Sequence, residues 1–328
     1  NFPSDIFINK VPPALLMGNA VILKPASVNP LTLTKYVELL VEAGVPAGII
    51  SVVHGSGSVV GKTLTSSKKV DMVSLTGSTA AGIDAAKNCA DHCAHSSLEL
   101  GGNDAFILCA DGDMDLAIEE TVWGRLYNTG QVCCASKRFL VENSVKDEFI
   151  RKMTDKINSL KQGNPQDMST DIGCLVSEEA AIEVERQVNE TIAAGATLVC
   201  GGKRNGAFYE PTILDNVTPD MEVAKDMEIF GPVIPVIGFD DLEEAIEIAN
   251  KSIYGLSGSI ITKDVSKAIK VSEKMECGGF VINGASFFRS FEQPFGGWKY
   301  SGIGNEGIMT TLKEMSRTKT VILKNITK

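Results

Sequence analysis

Long apolar runs are missing from this 328-residue chain. Phe2 to Met17 is fairly apolar, but Asp5 and Lys10 interrupt it, and nothing approaches the ~20 residues of a bilayer span. Neither a basic segment nor a cleavage site frames that stretch as a signal peptide. Positive charge is also short: 31 Lys and Arg face 41 Asp and Glu, a formal net charge of −10. That disfavours nucleic acid and anionic membranes, which both want a basic face. Eight cysteines are few for this length and carry no disulfide spacing, so a reducing cytoplasm is expected. Histidine is scarcer, three in all. A Cys–His hydrolase needs an imidazole beside its thiol, and His54, His92 and His95 lie in no motif that supplies one. Of Cys89, His92, Cys93 and His95, the first three share a helix face and the last does not. A zinc site would normally draw two ligand pairs from separate elements, so the group reads as an ordinary helix end and no metal is expected.

What remains is the composition of a soluble globular protein, 44% apolar and 22% charged, long enough for about two domains. Short apolar runs alternate with helical patterns. Ala20–Lys24, Ile49–Val53 and Met72–Leu75 read as buried strands, with helices expected over 4–17, after Asn29-Pro30, and over 80–93. This alternation predicts a doubly wound parallel sheet. Further on, a strand is expected at 105–109, with Asp113 capping the helix that follows. Helices are expected near 146–160, 177–194, 241–251 and 264–276, with strands near 197–200, 208–213, 257–262 and 279–283. Thr318–Lys324 is an isolated strand without a partner nearby in sequence. Such strands often pair with another subunit or a distant edge.

The chemistry concentrates in Tyr127–Arg138, YNTGQVCCASKR. Two adjacent thiols, Cys133 and Cys134, follow a turn signal and precede a basic pair, Lys137 and Arg138. A helix starting just after them would lower a thiol pKa through free N–H groups and the dipole. Taken alone, a cysteine pair is also what a buried structural site looks like. Glu99 lies between Leu98 and Leu100, ahead of Gly101-Gly102. An apolar setting raises a carboxyl pKa toward that of a general base, although a surface glutamate at a strand start would read the same way. Gly55, Gly57 and Gly61 sit between a strand and a helix, one residue off the usual dinucleotide spacing. Gly77-Ser78 forms a second small-residue turn after the next strand.

Read together, these residues resemble the aldehyde dehydrogenase superfamily over essentially the whole chain. The matching motifs are Asn1-Phe2-Pro3, Lys24-Pro25, Thr76-Gly77-Ser78-Thr79, Glu99-Leu100-Gly101-Gly102, Gly130-Gln131-Val132-Cys133, Glu228-Ile229-Phe230-Gly231-Pro232 and Pro294-Phe295-Gly296-Gly297, in the family's order. GQVCCASKRF and LELGGND look most similar to a bacterial succinate-semialdehyde dehydrogenase-like group. The start at Asn1 falls inside the family pattern, so an N-terminally truncated chain is expected. The resemblance implies an α/β protein. Its divisions would be a Rossmann-like, doubly wound parallel-sheet cofactor domain (the C-terminal portion, 1–98), an α/β catalytic domain (99–303), and a return segment with an oligomerisation strand (304–328). A homodimer or homotetramer is expected.

The resemblance also assigns roles. Cys133 matches the nucleophile, Glu99 the general base, and Asn1 the amide of an oxyanion hole. Lys24 and Glu228 match residues at the cofactor riboses, Ser78 one at the pyrophosphate, and Phe230 one near the nicotinamide. Ser27, Gly57, Gly61, Gly77 and Leu100 complete the expected cofactor set. Ser27 stands where NAD-preferring members carry a glutamate; losing that carboxylate removes repulsion against a 2′-phosphate. NADP or dual use with NAD is therefore expected. The arginines that hold a substrate carboxylate in the succinate-semialdehyde group are replaced by Asn9 and Tyr127. Arg289 is the local cation that could substitute, with Tyr127 and Phe295 as further substrate candidates. The implied reaction oxidises a small aldehyde, succinate semialdehyde among the candidates, to its acid with NAD(P)+. The alternatives are an acylating enzyme that releases its product to coenzyme A, which Glu99 argues against, and a non-catalytic relative of the fold. The joint presence of Cys133, Glu99 and Asn1 argues against the latter.

Overall fold

The computed structural model describes residues 1–290 and 292–326. The first hundred residues build α1 (Pro3–Leu16), β1 (Val21–Leu23), α2 (Pro30–Glu42), β2 (Ile50–Val52), α3 (Lys62–Thr65), β3 (Met72–Thr76), α4 (Thr79–Ala90) and β4 (His95–Glu99). Proline opens α1 and α2, where its missing N–H costs nothing. Asn29 precedes α2 but makes no side-chain cap bond. Ser78 does cap α4, its hydroxyl accepting from the Ala81 N–H at 3.3 Å.

The next segment builds β5 (Asp104–Leu108), α5 (Met114–Thr121), β6 (Ser136–Glu142), α6 (Asn143–Ser159), α7 (Glu178–Ala193), β7 (Thr197–Cys200), β8 (Arg204–Asn205), β9 (Phe208–Tyr209) and β10 (Thr212–Asp215). It continues with β11 (Val233–Phe239), α8 (Leu242–Asn250), β12 (Tyr254–Gly255), β13 (Ser257–Ile261), α9 (Val265–Lys274), β14 (Gly279–Ile282), β15 (Trp298–Lys299), β16 (Gly302–Ile303) and α10 (Ile308–Glu314). Asp113 caps α5 as expected, accepting from the N–H groups of Asp115 and Leu116.

Seven strands form the main sheet in the order β14-β13-β5-β6-β11-β10-β7. Only the β10–β7 pair is antiparallel. Residues 106–108 and 139–141 are buried on both faces, which is why they read as unbroken apolar runs. Alternate side chains feed two cores. Ile107, Leu140 and Ile237 face Val188, Ile248 and Val271 of the helices on one side. Phe106, Leu108 and Phe139 face Ala117, Phe149 and Met153 on the other.

Three expectations change. The strand expected over 208–213 is two strands, because Pro211 has no N–H for the ladder. The parallel pairs expected in the first unit exist, but as separate sheets: β1 with β2, and β3 with β4. A cleft of about 2240 Å³ lies between them, lined by residues 21–23 and 72–75. Thr318–Lys324 is not a strand. It finds no ladder partner among the described residues, and Val321, Ile322 and Leu323 are 70–79% exposed. β16 runs antiparallel to β4, pairing Gly302 with Glu99. The chain thus returns to the edge of the first unit, and the division expected at 98/99 falls within β4.

Candidate active site

After α5 the chain makes two short helical turns, Val122–Leu126 and Tyr127–Gly130, before entering β6 through residues 131–135. Asn128, Thr129 and Gly130 all have positive φ, at 49°, 56° and 76°. A Cβ on Gly130 would lie 2.2 Å from the Gly231 carbonyl oxygen, so only glycine lets the turn approach the 229–233 segment so closely. Arg125, fully buried, clamps the two together by donating from Nε to Val233 O at 2.6 Å and from Nη2 to Ile229 O at 2.9 Å.

No helix begins after Cys133, so a helix dipole is not what lowers its pKa. The thiol instead finds a hydrogen bond from Cys134, and the charge of Lys137 adds to it; against burial, the two bring its pKa from 9.0 down to about 7. Cys134 is pushed the opposite way, first by that same bond and then by burial. It lies in an apolar cluster with Val132, Ala135 and Leu256, whereas Cys133 lines the cleft. Identical neighbours in sequence are therefore chemically distinct.

Glu99 is 3% exposed at the end of β4, and neither carboxyl oxygen has a hydrogen-bond partner. The surface reading of this residue is excluded. Burial raises its pKa to about 9; Glu306 and Cys133 add to the rise, while Lys10 and Arg289 oppose it. Glu99 and Cys133, 34 positions apart in sequence, thus lie within each other's electrostatic reach. Lys10 on α1 reaches Glu306 Oε1 at 2.7 Å and Ser74 Oγ at 2.9 Å. Lys10 and Glu306 escaped the sequence reading because neither stands in a motif with Glu99.

The cleft collects most of the expected cofactor residues: Lys24, Gly61, Gly77, Ser78, Leu100, Glu228 and Phe230 line it, together with Asn1 and Cys133. Ser27 and Gly57 are exposed but are not in its lining. Lys24 Nζ donates to Gly55 O at 3.2 Å, beside the glycine turn. The N-terminus of α4 opens here at Gly77-Ser78, offering free N–H groups to an anion. Gly101 is tight against the opposite wall, since a Cβ there would meet Glu228 Oε2 at 2.4 Å. Anion-binding N–H groups, an ammonium and a carboxylate acceptor form a donor set that fits a dinucleotide.

The substrate candidates gather elsewhere. Tyr127 stacks on Phe2 with ring centroids 6.2 Å apart and packs against Trp123 and Phe287 at 4.8 and 5.0 Å. The Arg289 guanidinium sits 4.0 Å over the Phe295 ring. It is therefore held by an aromatic face and acts on Glu99, unlike a freely solvated loop charge. The Asn1 carbonyl accepts from Asn128 Nδ2 at 3.4 Å, which ties α1's entry to the Asn128–Gly130 turn.

A profile of the aldehyde dehydrogenase family matches residues 1–321. The chain is 39% identical to a lactaldehyde dehydrogenase of Methanococcus aeolicus, over 98% of this chain and 70% of that one. It is 38% identical to a 3-sulfolactaldehyde dehydrogenase of Priestia aryabhattai, over 98% of this chain and 67% of the relative. Among solved structures, it superposes on a glyceraldehyde-3-phosphate dehydrogenase of Methanocaldococcus jannaschii complexed with NADP. That match has a TM-score of 0.94 and 38% identity, covering 99% of this chain and 71% of that one. The lactaldehyde dehydrogenase of Escherichia coli gives a TM-score of 0.95 at 35% identity, covering 99% and 68%. With this fold and these relatives, the chain belongs to the aldehyde dehydrogenase family of NAD(P)-dependent oxidoreductases.

Proposed function

We propose that this protein oxidises a short aldehyde bearing an anionic or hydroxyl group to the corresponding carboxylic acid, with Cys133 as nucleophile and Glu99 as general base. One observation carries the reading. A partly exposed thiol with its pKa lowered to about 7 lies within electrostatic reach of a buried carboxyl with its pKa raised to about 9, and groups with pKa values displaced in this way mark acid–base chemistry.

Near neutral pH a substantial fraction of Cys133 is thiolate and attacks the aldehyde carbon. The resulting oxyanion is met by the Cys133 backbone N–H and the Asn1 side-chain amide. Bound nicotinamide supplies a hydride acceptor. Acylation removes the Cys133 charge that helps to raise the Glu99 pKa, and Glu99 in its carboxylate form takes a proton from water as that water attacks the thioester, releasing the acid. Lys24, Gly77-Ser78 and Glu228 would hold the ribose and phosphate groups of the cofactor, with Phe230 on the nicotinamide side. The serine at position 27, with Lys24 near, suits NADP or both cofactors. Two relatives are named for lactaldehyde and sulfolactaldehyde, and Arg289 over Phe295 suits an anionic end. Succinate semialdehyde stays among the substrates to be tested.

The division into cofactor, catalytic and return segments belongs to the same proposal, as do a cytoplasmic location and a homodimer or homotetramer. The exposed apolar tail supports the last of these; sedimentation showing a monomer would refute it. NAD(P)H formation with lactaldehyde, 3-sulfolactaldehyde and succinate semialdehyde, each with NAD+ and NADP+, tests the function. Activity lost in Cys133→Ala is the expected result. Acyl-CoA formation in place of free acid would contradict the role of Glu99.

A further inference from the structure

Lys137 stands out among the buried groups because burying an ammonium is costly unless it is fully paired. Its side chain is 1% exposed, yet Nζ reaches three partners. It donates to the Cys133 carbonyl oxygen at 2.5 Å. It lies 3.3 Å from Glu228 Oε1, its one ion-pair partner among the described residues. It also stands 5.2 Å from the centre of the Phe230 ring. The carbonyl it holds is packed from behind as well, since a Cβ on Gly102 would come within 2.8 Å of it. The Gly102 N–H in turn donates to Glu228 Oε1 at 2.9 Å.

We propose that Lys137 is a positioning residue for the reaction: it pins the backbone of the nucleophile turn and supplies the fixed positive charge that Cys133 needs as a thiolate. The inference rests on the proposed function, and it links the nucleophile to Glu228, the carboxylate assigned there to a cofactor ribose. The charges around the turn come from several elements. Glu99 ends β4, Asp104 begins β5, Arg138 follows on β6, and Glu228 precedes β11. Burial pushes Asp104 up to about 8 and Glu99 to about 9, so both carboxyls are largely neutral at pH 7. Glu228 is then the counter-charge that Lys137 feels most, and it is shared with the Gly102 N–H. Lys137 therefore keeps positive charge available to the thiolate.

The test is the pH profile of Cys133 alkylation by iodoacetamide, read peptide by peptide, in wild type, Lys137→Met and Lys137→Gln. The Gln variant keeps a donor for the Cys133 carbonyl and loses only the charge. Both variants are expected to shift the midpoint upward by about one pH unit, the lower end of what an opposite charge at close range gives. Superposed profiles would overturn the proposal, as would uniformly slower alkylation with an unmoved midpoint, which is what a purely structural role predicts. Should neither variant fold, the Lys137 13Cε resonance of the wild type decides. A titration step at the Cys133 midpoint that vanishes in Cys133→Ala supports the role, and a resonance without that step overturns it. If wild-type Cys133 reacts no faster than the other seven thiols, the proposed function itself fails and takes Lys137's role with it. A reactive Cys133 with unmoved profiles sinks only Lys137.

Discussion

Cys133 and Cys134 illustrate how far residue type alone can mislead. By residue type either could be an inert core thiol, and only the family motif singles out Cys133 as the nucleophile. Exposure and hydrogen-bond direction separate them: Cys133 lines the cleft, and Cys134 faces Val132 and Leu256. Glu99 was legible because Leu98 and Leu100 flank it. Lys10 and Glu306, which set its surroundings, were not legible, since only the fold brings positions 10, 99 and 306 together. Arg289 is where a substrate prediction belongs. Its guanidinium is held on Phe295 and its charge reaches Glu99. Arg289→Met is expected to raise KM for an anionic aldehyde roughly tenfold or more, the loss of one charge-assisted contact, and to leave an uncharged aldehyde of equal length much less affected. Equal effects on both substrates, measured by steady-state kinetics, would remove Arg289 from substrate recognition.

At the scale of elements, most boundaries were readable. Pro30 at a helix start, Asp113 at a cap and unbroken apolar runs at buried strands are local signals, and each appears near its expected place; the Ser78 cap of α4 was not foreseen. The misses share a cause. Cys133's electrostatics, the separate strand pairs and the unpaired tail all depend on what lies across space. A helix start after the cysteines was one possibility in the sequence, and the chain instead turns directly into β6. Gly130 is the element-scale constraint on the site. Its φ of 76° and the 2.2 Å approach that a Cβ would make to Gly231 O leave no room for a side chain. Gly130→Ala is expected to cost at least about 2 kcal/mol of stability and to displace the nucleophile turn. Urea melts should show the loss, and Cys133 alkylation should slow. A variant melting like wild type would show that the turn relaxes freely.

For the molecule as a whole, two buried carboxyls make stability depend on pH. Glu99 moves from 4.5 to about 9 on folding and Asp104 from 3.8 to about 8. Between those values the native state holds protons that the unfolded chain has released, so stability falls as pH rises, by at most about 1.4 kcal/mol per pH unit for each group. It is fully present below about pH 4 and lost by about pH 9. Thermal melting from pH 5 to 9 should decline, and Glu99→Gln with Asp104→Asn should flatten the slope. A wild-type curve rising across that range would contradict the burial of both groups.

The proposed function divides the labour, with Cys133 forming the covalent bond and Glu99 releasing it. Rapid-mixing measurement of NAD(P)H in Glu99→Gln tests it most directly. A burst approaching one equivalent per active site is expected, followed by turnover slowed on the order of a hundredfold or more, the contribution typical of a general base. A variant with no burst, or with wild-type steady turnover, would contradict the assignment of Glu99 to hydrolysis.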